Sequence, residues 1–255
     1  MNHSDYLLCD AHTHIGTDTE IQERSKRQIR SLVCASTPAE AERLQQYKSF
    51  FIMPTYGLHP WHADKYRVSE MSGHFENCTA IGEIGMDNVW CDVPLSIQET
   101  VFTKQLAIAS ELQKPVILHT KGQEEKCGNL IKKYKNTYMV HWYSAQENPL
   151  DYFSPDCYFS IGPDVWWNHA MIQVVSCIPL NHLLIETDGM NAVKWAYTEA
   201  PDKKRGAGFP TPPASVFDAL TDTLQKAAAI RGLSPAQFGK QIEKNFNTFL
   251  REPAL

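Results

Sequence analysis

Two histidines one residue apart follow the first apolar run of the chain, and their side chains are of a type that binds metal ions. His12 and His14 come just after the apolar run 6–9. In an extended strand alternate side chains point to the same side, so both imidazoles would face one way, with Asp10 one step below them. Imidazole is the commonest metal ligand, yet polar loops also carry histidines, so this pair alone leaves both interpretations open.

Later segments supply four more residues of a similar kind. Each of them comes at or near the end of an apolar, β-branched run: Glu83, His119, His141 and Asp188. Glu83 is the most informative, because a carboxylate inside the apolar run 79–86 is costly to bury unless a cation or several donors compensate it. Separate local hydrogen bonds could explain each residue singly, but six at corresponding positions favour one shared site.

These six side chains exceed what one tetrahedral ion requires. They fit two divalent ions roughly 3.5–4 Å apart that share a carboxylate. We assign His12, His14 and Asp188 to one ion, His119 and His141 to the other, and Glu83 to the bridge. The candidate metals are Mg, Mn, Zn, Co and Ni, and the nitrogen ligands favour the last four over Mg.

The elements that would position these residues alternate along the chain. Predicted strands span 6–15, 31–36, 50–58, 79–86, 115–119, 138–142, 157–161 and 183–187, and predicted helices span 37–47, 95–112, 213–231 and 235–251. This order predicts a parallel sheet closed as a (β/α)8 TIM barrel, one domain over 1–255, with its active site at the carboxyl ends of the strands. An open doubly wound sheet would need a Gly-rich loop after the first strand, which the sequence lacks. The stretch 196–213 is either a functional loop or a solvated excursion.

Composition restricts the class of protein. The chain has 255 residues, 43% hydrophobic and 21% charged, which suffices for one barrel core. It has no apolar run of about 18 residues and no visible signal peptide, so we expect no membrane span. Seven scattered cysteines without a Cys-x-x-Cys pair indicate reduced thiols in a cytoplasmic protein. The net charge of −5 means that an anionic substrate must be held locally, and no protein partner can be inferred.

Five motifs occur in order along the chain. They are Asp10-Ala11-His12-Thr13-His14, Gly57-Leu58-His59-Pro60, Ile81-Gly82-Glu83-Ile84-Gly85-Met86-Asp87, Pro115-Val116-Ile117-Leu118-His119 and Glu186-Thr187-Asp188. Together they resemble the motifs of the TatD family, metal-dependent deoxyribonucleases within the amidohydrolase-like barrel superfamily. The resemblance covers nearly the whole chain. It implies a barrel, a divalent-metal centre that uses the same six residues, and hydrolysis of phosphodiester bonds in DNA, at single strands or 3′ ends.

Three neighbours of the ligands depart from the family pattern. Thr120-Lys121 stands where the family usually has Ser-Arg, Trp142-Tyr143-Ser144-Ala145 stands for Cys-Phe-Ser-Gly, and Gly189-Met190 stands for Ala-Pro. The ligands are retained while the residues that would face a substrate differ. The resemblance therefore defines metal binding more closely than substrate identity.

The expected mechanism has two catalytic residues. Asp188 would act as general base near the attacking water, and Glu83 would hold both ions. Asp10 and Glu186 lie one layer deeper on the same predicted strand faces, and we expect them to orient metal-bound imidazoles.

Four further residues are candidate substrate contacts. His59 and Lys121, near the ends of the third and fifth strands, could contact a phosphate; alternatively, His59 holds its loop and Lys121 is solvated. Trp166 and Trp167 follow the seventh strand, and we expect at least one to line the mouth of the site and stack a base. The alternative is that both pack as core beneath the next helix.

Two other functions fit the same barrel. One is an amide or ester hydrolase, such as an aminoacyl-tRNA deacylase. Superfamily relatives that cleave amides often place a modified lysine where this chain has Glu83, which favours phosphodiesters here. The other is a binding protein on an inactive barrel, against which the complete ligand set argues.

Overall fold

Eight parallel strands, paired in sequence order, form the sheet of this protein in a computed structural model that describes residues 6–201 and 209–251. The strands are β1 (Cys9–His14), β2 (Arg30–Ala35), β3 (Ile52–Tyr56), β4 (Ala80–Gly85), β5 (Val116–His119), β6 (Tyr138–Val140), β7 (Tyr158–Ile161) and β8 (Leu183–Ile185). Seven lie within their predicted ranges and β2 begins one residue earlier. The predicted (β/α)8 barrel is confirmed.

Helices connect the strands and cover the outside of the barrel. Those of the described residues are α1 (Asp18–Lys26), α2 (Pro38–Gln45), α3 (Ser72–Phe75), α4 (Leu95–Glu111), α5 (Glu124–Ile131), α6 (Pro149–Tyr152), α7 (His169–Cys177), α8 (Met190–Thr198), α9 (Val216–Ile230) and α10 (Pro235–Phe249). Helix α2 lies within its predicted range of 37–47, and it begins at Pro38 because the Thr37 side chain accepts a hydrogen bond from Glu40 N and Pro38 takes the first position. No helix in residues 6–201 and 209–251 is long and apolar enough to cross a membrane.

The interior of the barrel is closed at the end opposite the strand carboxyl termini. One cluster of buried side chains from the strands includes Leu32, Ile117 and Leu184, and Phe246 and Phe249 of α10 pack against it. This apolar layer excludes water from beneath the site. Within the predicted loop 196–213, residues 196–198 belong to α8, and 202–208 lie outside the described residues.

The seam between β8 and β1 depends on a buried carboxylate. Asp10 accepts hydrogen bonds from the backbone N of Thr187 (2.9 Å) and its hydroxyl (2.7 Å), and lies 3.1 Å from the guanidinium of Arg24 in α1. The expectation that Asp10 orients a metal-bound imidazole is therefore wrong. The pairing of β1 with β2 shifts register between Asp10 and Thr13, a bulge-like irregularity that breaks the strict alternation of side chains.

Candidate metal centre

The six predicted ligands come together at the carboxyl ends of the strands. His12 Nε2 lies 3.3 Å from Asp188 Oδ1 and 3.4 Å from Glu83 Oε2. His14 Nε2 lies 3.4 and 3.5 Å from the same two oxygens. These four side chains thus surround one small space at the end of β1.

The second oxygen of Glu83 faces the other two histidines. His119 Nδ1 lies 2.6 Å from Glu83 Oε1, and His141 Nε2 lies 3.4 Å from it. The two oxygens of one carboxylate therefore divide four imidazoles into two pairs.

The donor set fits divalent cations. Around a tetrahedral ion with ligands at about 2.0–2.2 Å, neighbouring ligand atoms lie roughly 3.4 Å apart, which is close to most of these separations. Glu83 Oε2, Asp188 Oδ1 and both ring nitrogens of His12 are buried without a hydrogen-bond partner in the described parts of the chain. Ligand atoms of His12, His14 and Glu83, and of His12, His141 and Asp188, lie within 4.8 Å of one another. Buried polar atoms without hydrogen-bond partners, gathered at one place, indicate a site that a bound cation would complete.

Two carboxylates fix the outward-facing nitrogens of the β5 and β6 histidines. Glu186 oxygens lie 3.0 Å from His141 Nδ1, which confirms the contact expected for Glu186. Asp87 Oδ2 lies 3.0 Å from His119 Nε2. Carboxylates on the far ring nitrogen are the usual support of metal-binding imidazoles, because they fix both tautomer and ring orientation.

The backbone around Glu83 contacts the side chain of Cys34 in β2 and lies close to the neighbouring strand β5. The Glu83 N–H donates to Cys34 Sγ of β2 (2.9 Å), and Cys34 Sγ donates to Gly82 O (3.1 Å). Gly82 has a φ of +154°, and a Cβ there would lie 2.7 Å from Cβ of Ile117 in β5. Glycine therefore allows β4 to approach β5 closely enough for Glu83 to reach the histidines.

The carboxylates and imidazoles of the site shift each other's pKa values. Burial disfavours the charged form of His119, but Glu83 and Asp87 raise its pKa to about 9. Burial likewise opposes protonation of His12, while Glu83 and Asp188 raise the pKa of His12 well above its ordinary value. Burial alone would raise the pKa of Glu83, but His141 and the other imidazoles hold it well below its usual range. Without a metal, the carboxylates thus attract protons onto the imidazoles.

His59 and Lys121 also lie in this region. His59 Nε2 is 3.5 Å from Glu83 Oε2, its Nδ1 accepts a hydrogen bond from Trp61 N, and burial lowers its pKa to about 4. The neutral ring of His59 therefore carries its proton on Nε2, which can donate a hydrogen bond. Lys121 Nζ donates to Ser144 Oγ (2.6 Å), so Lys121 is not a freely solvated lysine. Substrate contact by either residue stays a prediction.

Neither Trp166 nor Trp167 is among the described residues that line the cavity over this site. Trp167 Nε1 donates to Ala196 O (2.7 Å), and the Trp166 ring packs under Lys226, whose Nζ lies 5.0 Å from its centre. Each indole is therefore directed toward α8 or α9. The structure gives no support to the expectation that one of them lines the mouth.

A cavity of about 670 Å³ opens over the ligands, in the size range of small-molecule sites. It brings in residues that the strand pattern does not single out: Trp61, Trp90, Trp142, Asp164 and Trp195. Asp164 could have been found, because it follows β7 as the ligands follow their strands. Trp90 and Trp195 lie in a loop and in α8, where no sequence periodicity points to a site.

Comparison with protein-family models gives a match to the family described as TatD related DNase, over residues 9–251. Among individual proteins, the chain is 31% identical over 199 residues to an uncharacterised metal-dependent hydrolase of Methanocaldococcus jannaschii, covering 72% of this chain and 79% of that protein. It is 30% identical over 167 residues to the 3′-5′ ssDNA/RNA exonuclease TatD of Rahnella sp., covering 60% and 63% respectively.

Solved structures show the same fold. The structure of YJJV, a TatD homologue from Escherichia coli, superposes with a TM-score of 0.78 at 20% identity and covers 96% of this chain and 98% of that one. A TatD-family hydrolase from Entamoeba histolytica superposes with a TM-score of 0.73 at 14% identity, covering 96% and 98%.

Proposed function

The chain belongs to the TatD-related DNase family, and on that premise we propose that it is a divalent-metal-dependent nuclease that hydrolyses phosphodiester bonds. The observation that carries the proposal is the position of Glu83 between two pairs of imidazoles, with Asp188 facing the first pair. A carboxylate with this environment suits a bridge between two cations.

The proposed centre holds two divalent ions, drawn from Mg, Mn, Zn, Co and Ni. His12, His14 and Asp188 would hold one ion and His119 and His141 the other, with one oxygen of Glu83 directed to each. The separate contacts of Oε1 and Oε2 support this division. The four nitrogens favour Zn, Mn, Co or Ni over Mg.

Ions bound there would lower the pKa of a water molecule toward ~7 and neutralise charge on a phosphate oxygen. The side chains supply position and proton transfer. Asp188, whose Oδ1 faces His12 and His14, would accept the proton of the attacking water. His59 Nε2–H and Lys121 Nζ, both on the cavity wall, would donate to the remaining phosphate oxygens.

The proposed substrate is single-stranded DNA or RNA, taken at an end. Relatives such as the Rahnella protein are named 3′-5′ ssDNA/RNA exonucleases. The net charge of −5 provides no general attraction for a long polyanion, which fits an enzyme that holds a short segment locally. None of the seven cysteines, all of which lie in the described residues, is in a disulfide, which fits action in the reducing cytoplasm.

A substrate panel tests the proposal. Protein loaded with Mn is incubated with single-stranded and duplex oligonucleotides, an aminoacyl-tRNA and small amides, with and without a chelator. We expect release of nucleotides from single strands, abolished by the chelator. Cleavage of amides or aminoacyl esters without any phosphodiester cleavage would overturn the proposal in favour of the amide or ester hydrolase.

A further inference from the structure

Three tryptophans form a continuous wall on the cavity over the metal centre. The ring centres of Trp90 and Trp195 are 5.8 Å apart at 73°, and those of Trp142 and Trp195 are 6.1 Å apart at 67°. Trp90 is 54% exposed and Trp195 39% exposed. Large aromatic side chains gain free energy by burial, so an open indole wall beside reactive groups indicates a ligand that covers it.

Contacts within the protein hold Trp142 and Trp90, two of the three indoles. The backbone N of Trp142 donates to Glu186 Oε1 (3.0 Å), and the indole lies against Gly162, where a Cβ would be 2.9 Å from its Cδ2. Lys121 Nζ lies 4.7 Å from the centre of the Trp90 ring. A surface held in this way loses little side-chain freedom on binding.

Asp164 adds a polar group to the same cavity. The residue is 1% exposed, its Oδ2 accepts a hydrogen bond from Asn168 Nδ2 (2.6 Å), and the Trp142 side chain also donates toward its carboxylate. An ionised carboxylate can accept about four hydrogen bonds, so Asp164 can still accept one from a ligand N–H directed at Oδ1. The cavity therefore combines flat aromatic faces with one hydrogen-bond acceptor.

The charges of the cavity limit how much of a polyanion can enter. Its described lining carries the carboxylates of Glu40, Glu83, Asp164 and Asp188. The same described lining residues include a single lysine, Lys121, and no arginine. Away from the metal centre and Lys121, a chain of phosphates would meet repulsion, whereas an uncharged base would not.

We infer that this cavity contains a nucleobase subsite, in which the indoles of Trp90, Trp142 and Trp195 stack an unpaired base next to the scissile phosphate. Asp164 Oδ1 accepts a hydrogen bond from an N–H on the edge of that base. The inference rests on the proposed nuclease function and names what the site recognises beyond the phosphate. A base in a duplex presents neither a free face nor a free edge, so the subsite selects single-stranded ends.

The test compares two single strands of equal length and charge. One has bases on its last two nucleotides and the other is abasic at both. With Mn, we expect the wild-type kcat/KM to be about tenfold higher for the base-bearing strand, the scale of stacking one base on an aromatic side chain. Trp195→Ala and Asp164→Asn should lower kcat/KM for that strand and leave the abasic strand unchanged.

A control and a binding measurement make the outcomes separable. Phe50→Ala removes a 51% exposed aromatic residue that precedes β3, at the opposite end of the barrel, and should alter neither strand. Calorimetry on Mn-loaded protein should show dAMP binding about tenfold tighter than deoxyribose 5-phosphate.

Equal cleavage of the two strands with equal binding of the two phosphates would overturn the subsite while the nuclease function stands. Preferential binding of dAMP without cleavage of either strand would overturn the nuclease function while the subsite stands. If neither strand is cleaved and the two phosphates bind equally, both the subsite and the nuclease function would be overturned.

Discussion

Asp87 Oδ2 lies 3.0 Å from His119 Nε2, on the side of the ring that faces away from Glu83. The same oxygen accepts a hydrogen bond from Trp61 Nε1 (2.8 Å), and Oδ1 accepts bonds from the backbone N–H groups of Val89 and Trp90. Although burial opposes ionisation, these bonds hold the pKa of Asp87 well below its usual range. The fixed carboxylate aims His119 Nδ1 at Glu83.

Replacing Asp87 with asparagine should weaken metal binding by roughly 10–100-fold, because the imidazole loses the anion that fixes its tautomer and raises its basicity. The fold should be retained, since Asn has the same shape. Metal titration of the purified variant measures the effect. Asp92→Asn, an exposed acid five residues further on, is the matched control. Unchanged affinity in Asp87→Asn would show that Asp87 has no part in positioning the ligand.

Metal should stabilise the folded protein, because the ligands converge only in the native state. At a free metal concentration about 100 times Kd, the free energy of unfolding should rise by about 2.7 kcal/mol for each ion bound. For a chain of this size that corresponds to roughly 5–10 °C in Tm. Thermal unfolding with added Mn or Zn and with a chelator measures the shift. The same Tm in both conditions would argue against a metal site built from these residues.

Replacing Glu83 with alanine should abolish hydrolysis and lower the metal content, while circular dichroism shows the fold retained. Without the carboxylate, two cations would face each other with no bridging anion between them. Elemental analysis of metal per chain is the decisive measurement. Glu83→Gln, which keeps the shape and removes the charge, should show the same loss. A variant that kept two metals and near-normal turnover would exclude Glu83 as the bridge.

The metal ligands of this site can be predicted from the sequence because the ends of the strands can be recognised in it. Glu83 is identifiable since a carboxylate interrupts an apolar β run, and the barrel rule then places it beside the histidines. Asp10 is misjudged by the same rule, because a register shift in β1 cancels the alternation on which the rule depends. Such a local irregularity leaves no mark in hydrophobic periodicity.

The cavity wall is less predictable. Trp195 reaches the site from helix α8, and Trp90 from the loop after β4, so their meeting depends on how connecting segments pack rather than on strand order. Trp166 and Trp167 have the more suggestive sequence position, yet they turn toward α8 and α9. Which way a side chain turns just beyond a strand is set by packing of the following segment, and the sequence alone does not supply it.

The corrected position of Asp10 leads to a prediction about its partner. Arg24 is 2% exposed and pairs with Asp10, so Arg24→Met leaves a buried carboxylate without its cation and should lower the free energy of unfolding by roughly 3–5 kcal/mol. Arg43→Met is the matched control, because Arg43 pairs with the exposed Asp18 and should cost less than about 1 kcal/mol. Urea unfolding measures both. Similar small losses in the two variants would mean that Asp10 does not need its cation.

Asp164 should make stability depend on pH in a defined window. Burial raises its pKa to about 6, against the lowering effects of its hydrogen bonds with Asn168 and Trp142, whereas in the unfolded chain an aspartate titrates near 3.9. Between these values the folded protein holds a proton that the unfolded chain has lost, so this contribution is present below about pH 4 and is lost as pH rises through about 6. The total is about 3 kcal/mol.

Asp164→Asn removes this titration while leaving the metal ligands, Lys121 and Glu186 as they are. Relative to wild type, the variant should therefore gain about 3 kcal/mol in free energy of unfolding from pH 4 to pH 6, and nothing further above that. Urea unfolding of both proteins in chelator at several pH values from 4 to 7 gives the difference, in which the shared titration of the histidines cancels. A difference independent of pH would mean that the Asp164 carboxyl is no harder to ionise in the folded protein than in the unfolded chain. A difference that moved in favour of wild type as pH rises would mean that the folded protein prefers the ionised carboxylate, through cationic partners stronger than its burial.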